Sequence, residues 1–343
     1  MKAVRLYGPR DIRVDDVPRP EPGPGDALIR VRAVGVCGSD VHYYVDGHIG
    51  DAVPELPFTL GHEFAGEVEA LGPGVTWPPV GTRVAVDPAI PCGQCETCQE
   101  GNPNCCPSVR FPGSAPVPGA LSEWYVHPAH LCEPIPDELG FDDGAMLEPL
   151  GVDVHALTLA KVRPGDIVAI LGAGPIGLLA LQLCARSFTG AVYVMEPIPE
   201  RREMALRMGA TAVCDPNAED PVAWLLAQTQ GRGADLVLEA AWGEQAVDQA
   251  VHMAKPAGRV VLIGIPREDV VTFSAGNARR KGLTILMSRR MKAVYKRAMA
   301  LVARDAVDLQ ALITHRFPLE RSAEAFDLVA SLRDGVIKVM IEL

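Results

Sequence analysis

Ile167-Val-Ala-Ile-Leu-Gly172-Ala-Gly174-Pro-Ile-Gly177, followed by the apolar Leu178 to Cys184 and then by Ala191-Val-Tyr-Val-Met-Glu196, decides the fold. Ile167 to Leu171 is a continuous aliphatic run, as a strand buried on both faces requires. Pro175 to Phe188 is a mostly apolar helix candidate, and Ala191 to Met195 a second short strand. The joint has the G-x-G-x-x-G spacing. Gly172 permits a tight turn, Gly174 lets backbone approach a pyrophosphate, and Gly177 lets the helix pack on the strand, while helix N-terminal amides face the phosphates. Glu196 closes the next strand about twenty residues on, where an acid accepts hydrogen bonds from adenosine ribose hydroxyls. A carboxylate there repels a 2′-phosphate, which favours NAD over NADP. Arg201 and Arg202 follow closely, and two readings stand for them: a phosphate or adenine role, or the solvated first turn of a helix.

Outward from this unit, the helix candidate Pro199 to Gly209 is followed by strand candidates at Asp235 to Glu239, Arg259 to Gly264 and Leu283 to Met287, with a helix at Glu244 to Ala254. Short buried strands alternating with helices predict an α/β domain with a doubly wound parallel sheet over 151–288. Upstream, β-type runs such as Ala27 to Val36 and Phe64 to Leu71 lie between Pro/Gly clusters and predict an antiparallel, mostly β region. The tail has helix candidates at Met291 to Ala303 and Leu319 to Leu332, with strands at Thr314 to Phe317 and Val336 to Leu343. It is expected to pack back on the first domain, so that 1–150 and 289–343 form one domain and 151–288 is inserted.

The length of 343 residues fits two domains. Lys and Arg number 32 against 43 Asp and Glu, a net charge of −11 that argues against nucleic acid or an anionic membrane as partner. There is no apolar run of about 18 residues, and the start MKAVRLYGPRDIRV carries charges where a signal peptide needs an apolar stretch, so a cytoplasmic location is expected. Nine cysteines in such a chain point to metal or redox use before disulfides.

Residues 88–119 carry dense Cys, Pro, Gly and Asn and no apolar period, so this lobe cannot build a core of its own. Cys92, Cys95, Cys98 and Cys106 run C-x2-C-x2-C-x7-C, a spacing that lets four thiolates converge on a tetrahedral zinc ion. Metal binding would supply the ordering free energy that burial cannot, and a site filled by four protein ligands is structural. Cys105 is the alternative fourth ligand, and an iron–sulfur cluster the alternative occupant. A second, dispersed constellation comprises Cys37, His62, Glu63 and Glu148: thiolate, imidazole and carboxylate, the ligand types of an open catalytic zinc site.

The segments C-G-S-D-x-H at 37–42, G-H-E at 61–63, the four-Cys lobe, E-P-L at 148–150 and G-A-G-P-I-G at 172–177 occur together in one order. In this the chain resembles the zinc-dependent medium-chain dehydrogenases from end to end, and within them the sorbitol and xylitol dehydrogenase group. The resemblance implies a mostly β GroES-like catalytic domain beside the Rossmann domain, with one catalytic and one structural zinc per chain and NAD as cofactor. It implies that Cys37, His62 and Glu63 are catalytic zinc ligands and that Glu148, where simple alcohol dehydrogenases carry cysteine, binds that zinc directly or through its water; adjacent residues point different ways, which leaves open which glutamate touches the metal. Tyr43, Arg289 and Arg290 match substrate-contacting positions, with Arg290 standing where an aromatic is usual. Ile176, Glu196, Arg201, the segment Ile263, Gly264 and Ile265, and Met287, Ser288 and Arg289 match cofactor contacts. Ser39 and His42 match the family's proton relay.

The implied reaction is oxidation of a secondary hydroxyl of a sugar alcohol to the ketose, with hydride transfer to NAD. Rivals are 2,3-butanediol or L-threonine oxidation within the same family, and a nucleotide-binding protein that has lost catalysis. A homotetramer is expected by analogy. His127, His130, His155, His252 and His315 read as structural, and Cys132, Cys184 and Cys214 as packing residues.

Overall fold

The structure, a computed structural model, describes residues 1–186, 189–241, 243–267 and 270–343; Phe188, the expected end of the first Rossmann helix, lies outside them. The chain forms two compact units. One comprises Met1–Glu148, Tyr295–Met299 and Leu309–Leu343, the other Pro149–Val294 and Ala300–Asp308.

The first unit is built from short strands. β1 (Lys2–Gly8), β2 (Asp11–Asp16) and β3 (Asp26–Gly35) lead into helix α1 (Gly38–Asp46); β4 (Phe58–Thr59), β5 (Glu63–Leu71) and β6 (Arg83–Val86) follow. The cysteine lobe contains one helical turn, α2 (Glu96–Gln99), and a 3₁₀ turn at Pro103–Cys105; β7 (Trp124–Pro128) and β8 (Cys132–Pro134) then close the β region. Helix α3 (Phe141–Ala160) carries Pro149 in its interior. No sequence period predicts this helix, because it is buried on most of its face and has no amphipathic pattern.

The second unit alternates β9 (Val168–Leu171), α4 (Pro175–Ala185), β10 (Val192–Met195), α5 (Pro199–Arg207), β11 (Ala212–Cys214), α6 (Pro221–Gln228), β12 (Ala234–Glu239), α7 (Ala246–Met253), β13 (Ala254–Leu262), α8 (Ala275–Lys281) and β14 (Thr284–Met287). All six strands are parallel, in the order β11-β10-β9-β12-β13-β14. This is the doubly wound sheet expected, with the chain reversing direction between β9 and β12. β9 is fully buried between its neighbours, and Leu178, Leu179, Ala180 and Leu181 of α4 are at 0% exposure, which accounts for the unbroken apolar runs.

The chain ends with α9 (Tyr295–Val302), β15 (Ile313–Pro318), α10 (Ser322–Ser331) and β16 (Lys338–Glu342). The helix expected from Met291 starts four residues later, because Arg290 and Ala293 take positive φ values of 53° and 47° that a right-handed helix forbids. The one expected from Leu319 begins as a 3₁₀ turn, and Leu332 at φ 51° ends it. In the larger sheet of the first unit the order is β15-β16-β3-β5-β6-β8, with β7 also on β3; β15 and β16 are parallel, joined by α10, and every other pair is antiparallel. β1, β2 and β4 form a separate three-stranded sheet. Phe64, Val68, Tyr43, Tyr44, Phe58 and Phe326 fill the core of this unit. Among the described residues no helix is long and apolar enough to cross a membrane.

Candidate active site

Cys37 follows the end of β3 and takes the N-cap position of α1, with extended backbone at φ −89° and ψ 155°. Asp40, in the first turn, reaches back: one carboxylate oxygen accepts the Cys37 amide at 3.0 Å and the other accepts the Gly61 amide at 3.1 Å. The second oxygen also lies 3.5 Å from His62 Nδ1, so one buried carboxylate ties both halves of the site together. Cys37, His62 and Glu63 each offer one ligand atom, all within 4.8 Å of one another. Adjacent His62 and Glu63 therefore serve one point in space.

Burial works against a charged His62, but the negative charges of Asp40 and Cys37 outweigh it and hold its pKa well above the ordinary value. One thiolate, one imidazole and one carboxylate converging on a point are donors that suit zinc. Glu148, on α3, is 4% exposed and stands outside the three-residue ligand set. Burial pushes its carboxyl up to about 7; Glu63 and Asp87 add to this, and His62 and Lys338 oppose it.

Lys338, at the start of β16, is 1% exposed. Its ammonium donates to Glu63 Oε2 and, at 3.1 Å, to the Val36 carbonyl. Gly35 is required beside this pair, since a Cβ there would fall 2.2 Å from the same carboxylate oxygen. Sequence reasoning missed Lys338. The signal was a lone cation in the apolar run Val336 to Ile341, which demands a buried counter-charge.

Ser39 is half-buried in the first turn of α1. His42, one turn on, is buried with Nδ1 3.3 Å from Asp46 Oδ2. Tyr43, expected at the substrate, is 1% exposed, its ring against Phe58 and its hydroxyl accepting the Ala115 amide at 3.2 Å.

In the lobe, Cys92, Cys95, Cys98 and Cys106 also bring their sulfurs within 4.8 Å of one another. Cys106 is buried and belongs to this cluster, whereas its neighbour Cys105 is exposed and outside it. The amides of Gln94 and Cys95 draw the Cys92 thiol down to about 6, and burial pushes Cys98 up to about 12. Four convergent sulfur donors without a disulfide fit a closed zinc site. Cys132, Cys184 and Cys214 are buried singly, and His127, at 0% exposure, bonds the Asp87 carbonyl.

In the second unit the residues expected at the cofactor gather at the carboxyl ends of β9, β10, β13 and β14, the edge where open α/β sheets bind ligands. Gly172 adopts φ 94°, and a Cβ there would lie 2.8 Å from the Ala240 carbonyl; a Cβ on Gly177 would lie 1.9 Å from the Gly172 carbonyl. Gly174 is open on its outer side, with Arg201 Nη1 3.8 Å from its Cβ position. Burial lowers the Arg201 pKa and the Glu196 charge opposes that. Glu196 is 3% exposed, its oxygens accepting the Ala173 amide at 2.7 Å and the Ile198 amide at 2.9 Å. Ile176 is half-buried after the turn. Ile263 and Gly264 donate their amides to the Glu239 carbonyl at 2.8 and 3.1 Å, Ser288 donates to the Leu262 carbonyl at 2.9 Å, and Ile265 and Met287 are exposed. Arg289 and Arg290 follow Ser288 in this same unit. A shaped backbone cradle with an acid beside it fits a dinucleotide.

Glu239 was also missed. It closes β12 as Glu196 closes β10, is 3% exposed, and accepts the Ala241 amide at 2.8 Å. Burial pushes its carboxyl up to about 7.

The family described as alcohol dehydrogenase GroES-like domain matches residues 23–137, and zinc-binding dehydrogenase matches residues 175–304. A sorbitol dehydrogenase of Bacillus subtilis is 34% identical over 99% of this chain and 97% of its own length. A Neosartorya fischeri protein named probable D-xylulose reductase A is 38% identical over 94% of this chain and 91% of its own length. An alcohol dehydrogenase of Escherichia coli solved with NADH is 30% identical with a TM-score of 0.92, covering 100% of this chain and 99% of its own. A Sinorhizobium meliloti protein described as a putative zinc-binding dehydrogenase and solved with NADP is 34% identical with a TM-score of 0.91 over the same shares. A Rossmann unit paired with a GroES-like β unit that carries two zinc-type donor sets is a zinc-dependent, nicotinamide-linked dehydrogenase. The chain belongs to the zinc-dependent medium-chain alcohol dehydrogenase family, and its similarity runs to the polyol group.

Proposed function

We propose that the protein oxidises a secondary hydroxyl of a sorbitol- or xylitol-type polyol to the ketose, with NAD as acceptor. The observation that carries this reading is the convergence of Cys37, His62 and Glu63 on one point, in a chain similar along its length to sorbitol dehydrogenases. When bound, the zinc acidifies the substrate hydroxyl and the nicotinamide takes the hydride.

The remaining roles fall to this chain's own residues. Cys37, His62 and Glu63 hold the catalytic metal with Glu148 at its side, and Asp40 fixes the orientation of His62. Ser39 and His42 pass the alcohol proton outward, with Asp46 holding His42 Nδ1. Cys92, Cys95, Cys98 and Cys106 hold a structural zinc that orders residues 88–119. Gly172, Gly174 and Gly177 seat the pyrophosphate, Glu196 the adenosine ribose, and Arg201 the phosphate side of the glycine turn. Ile176, Ile263 to Ile265 and Met287 to Arg289 complete the cofactor wall, and Tyr43, Arg289 and Arg290 serve the substrate. A cytoplasmic homotetramer is the assembly proposed from the family.

Steady-state kinetics with NAD against sorbitol, xylitol, 2,3-butanediol and L-threonine test the assignment. Polyol kcat/KM above the others is expected. Polyol turnover far below that of the diol or of threonine refutes the substrate class.

A further inference from the structure

We infer that Asp215 acts through Arg202 as a lock against NADP, a specificity device that rests on the reading of Glu196 as the ribose acid of an NAD enzyme. Arg201 and Arg202 are adjacent on α5, yet they have different surroundings. Arg201 lies beside Gly174 of the phosphate turn. Arg202 folds back over the carboxyl end of β10: Nη1 donates to the carbonyls of Glu196 at 2.8 Å and Pro197 at 2.7 Å, and Nη2 pairs with Asp215 Oδ2 at 3.1 Å. Asp215 directly follows β11, where the Glu196 amide bonds the Cys214 carbonyl, so the carboxylate is held next to the strand end that carries the ribose acid. Its Oδ1 accepts the Asn217 amide at 2.9 Å, which fixes its orientation. The two side chains of the pair are only 19% and 28% exposed.

A 2′-phosphate at Glu196 would bring roughly two negative charges against a carboxylate and would need a cation to offset them. A guanidinium already bonds the backbone carbonyl of Glu196, and a planar fork is well suited to phosphate. It is committed to two carbonyls and a carboxylate. Recruiting it would break the charge-assisted bond to Asp215 and leave that second negative charge near the phosphate. Exclusion of NADP therefore has two parts, repulsion by Glu196 and sequestration of the nearby cation by Asp215.

The test is a fluorescence titration of the zinc-loaded protein with NADH and NADPH. Asp215→Asn keeps the Oδ1 acceptor for Asn217 while removing the charge that holds Nη2. NADPH affinity should rise about fivefold or more, with NADH affinity within about twofold, and Asp215→Asn/Arg202→Gln should lose the gain. Arg202→Gln alone should leave both affinities near wild type, because a sequestered arginine contributes to neither. An unchanged NADPH to NADH ratio in a folded Asp215→Asn protein overturns the lock, as does a gain that survives in the double variant or a loss of NADPH binding in Arg202→Gln. The underlying reading fails separately: wild type would then bind NADPH more tightly than NADH, or Glu196→Ala would leave the ratio unchanged.

Discussion

Replacing Glu239 with Gln should flatten the pH dependence of stability in the dinucleotide unit. Burial at 3% exposure lifts the carboxyl from an ordinary 4.5 to about 7, against the opposing hydrogen bonds from the amides of Ala241 and Gly264. Below pH 4.5 the group is protonated in the folded and unfolded chains alike, so the wild type has its full stability there. As the pH rises from 4.5 through 7, the unfolded chain gives up its proton first, and stability falls until the folded group has also ionised. Between pH 5 and 8 this amounts to about 2–3 kcal/mol, and Gln, which cannot ionise, loses none of it. For a unit of this size that is about 5–10 °C in melting temperature. Calorimetric scans of the cofactor-free protein at several pH values should show the variant gaining on the wild type by that amount as pH rises. Parallel curves would mean that Glu239 ionises like a solvated acid, and that the reasoning from burial is wrong.

In metal-free protein, Lys338→Met should cost about 3–5 kcal/mol by leaving the buried Glu63 carboxylate without its cation, and the Glu63→Gln/Lys338→Met pair should recover part of the lost melting temperature. Gly177→Ala places a methyl 1.9 Å from the Gly172 carbonyl; about 1–3 kcal/mol of stability should go, together with NADH affinity measured by titration. Cys37→Ser should remove one zinc per chain and more than ~100-fold of turnover while the melting temperature stays near wild type, whereas Cys95→Ser should remove the other zinc and lower the melting temperature first. Metal analysis with calorimetry separates the two, and the reverse pattern would exchange the sites.

Local chemistry made much of this protein legible in the chain itself. Unbroken aliphatic strands, the glycine spacing of 172–177 and Glu196 describe a dinucleotide-binding sheet, because each requirement involves residues within about thirty positions of one another. The spacing of Cys92, Cys95, Cys98 and Cys106 likewise announces a metal lobe, although choosing Cys106 over Cys105 needed the buried position of its sulfur. Helix ends were less legible. Positive φ at Arg290, Ala293 and Leu332 depends on packing that no propensity records.

What tertiary structure alone decided is which distant groups face one another. His62 and Glu63 converge with Cys37 because Asp40 bridges α1 to Gly61, and Lys338 reaches Glu63 across 275 positions of sequence. Arg202 parted from Arg201 because the end of β11 offered it a carboxylate. A strand or a glycine turn is set by interactions within its own segment, and a buried ion pair by charges that have only each other once water is removed, so its partners appear only after the chain has closed.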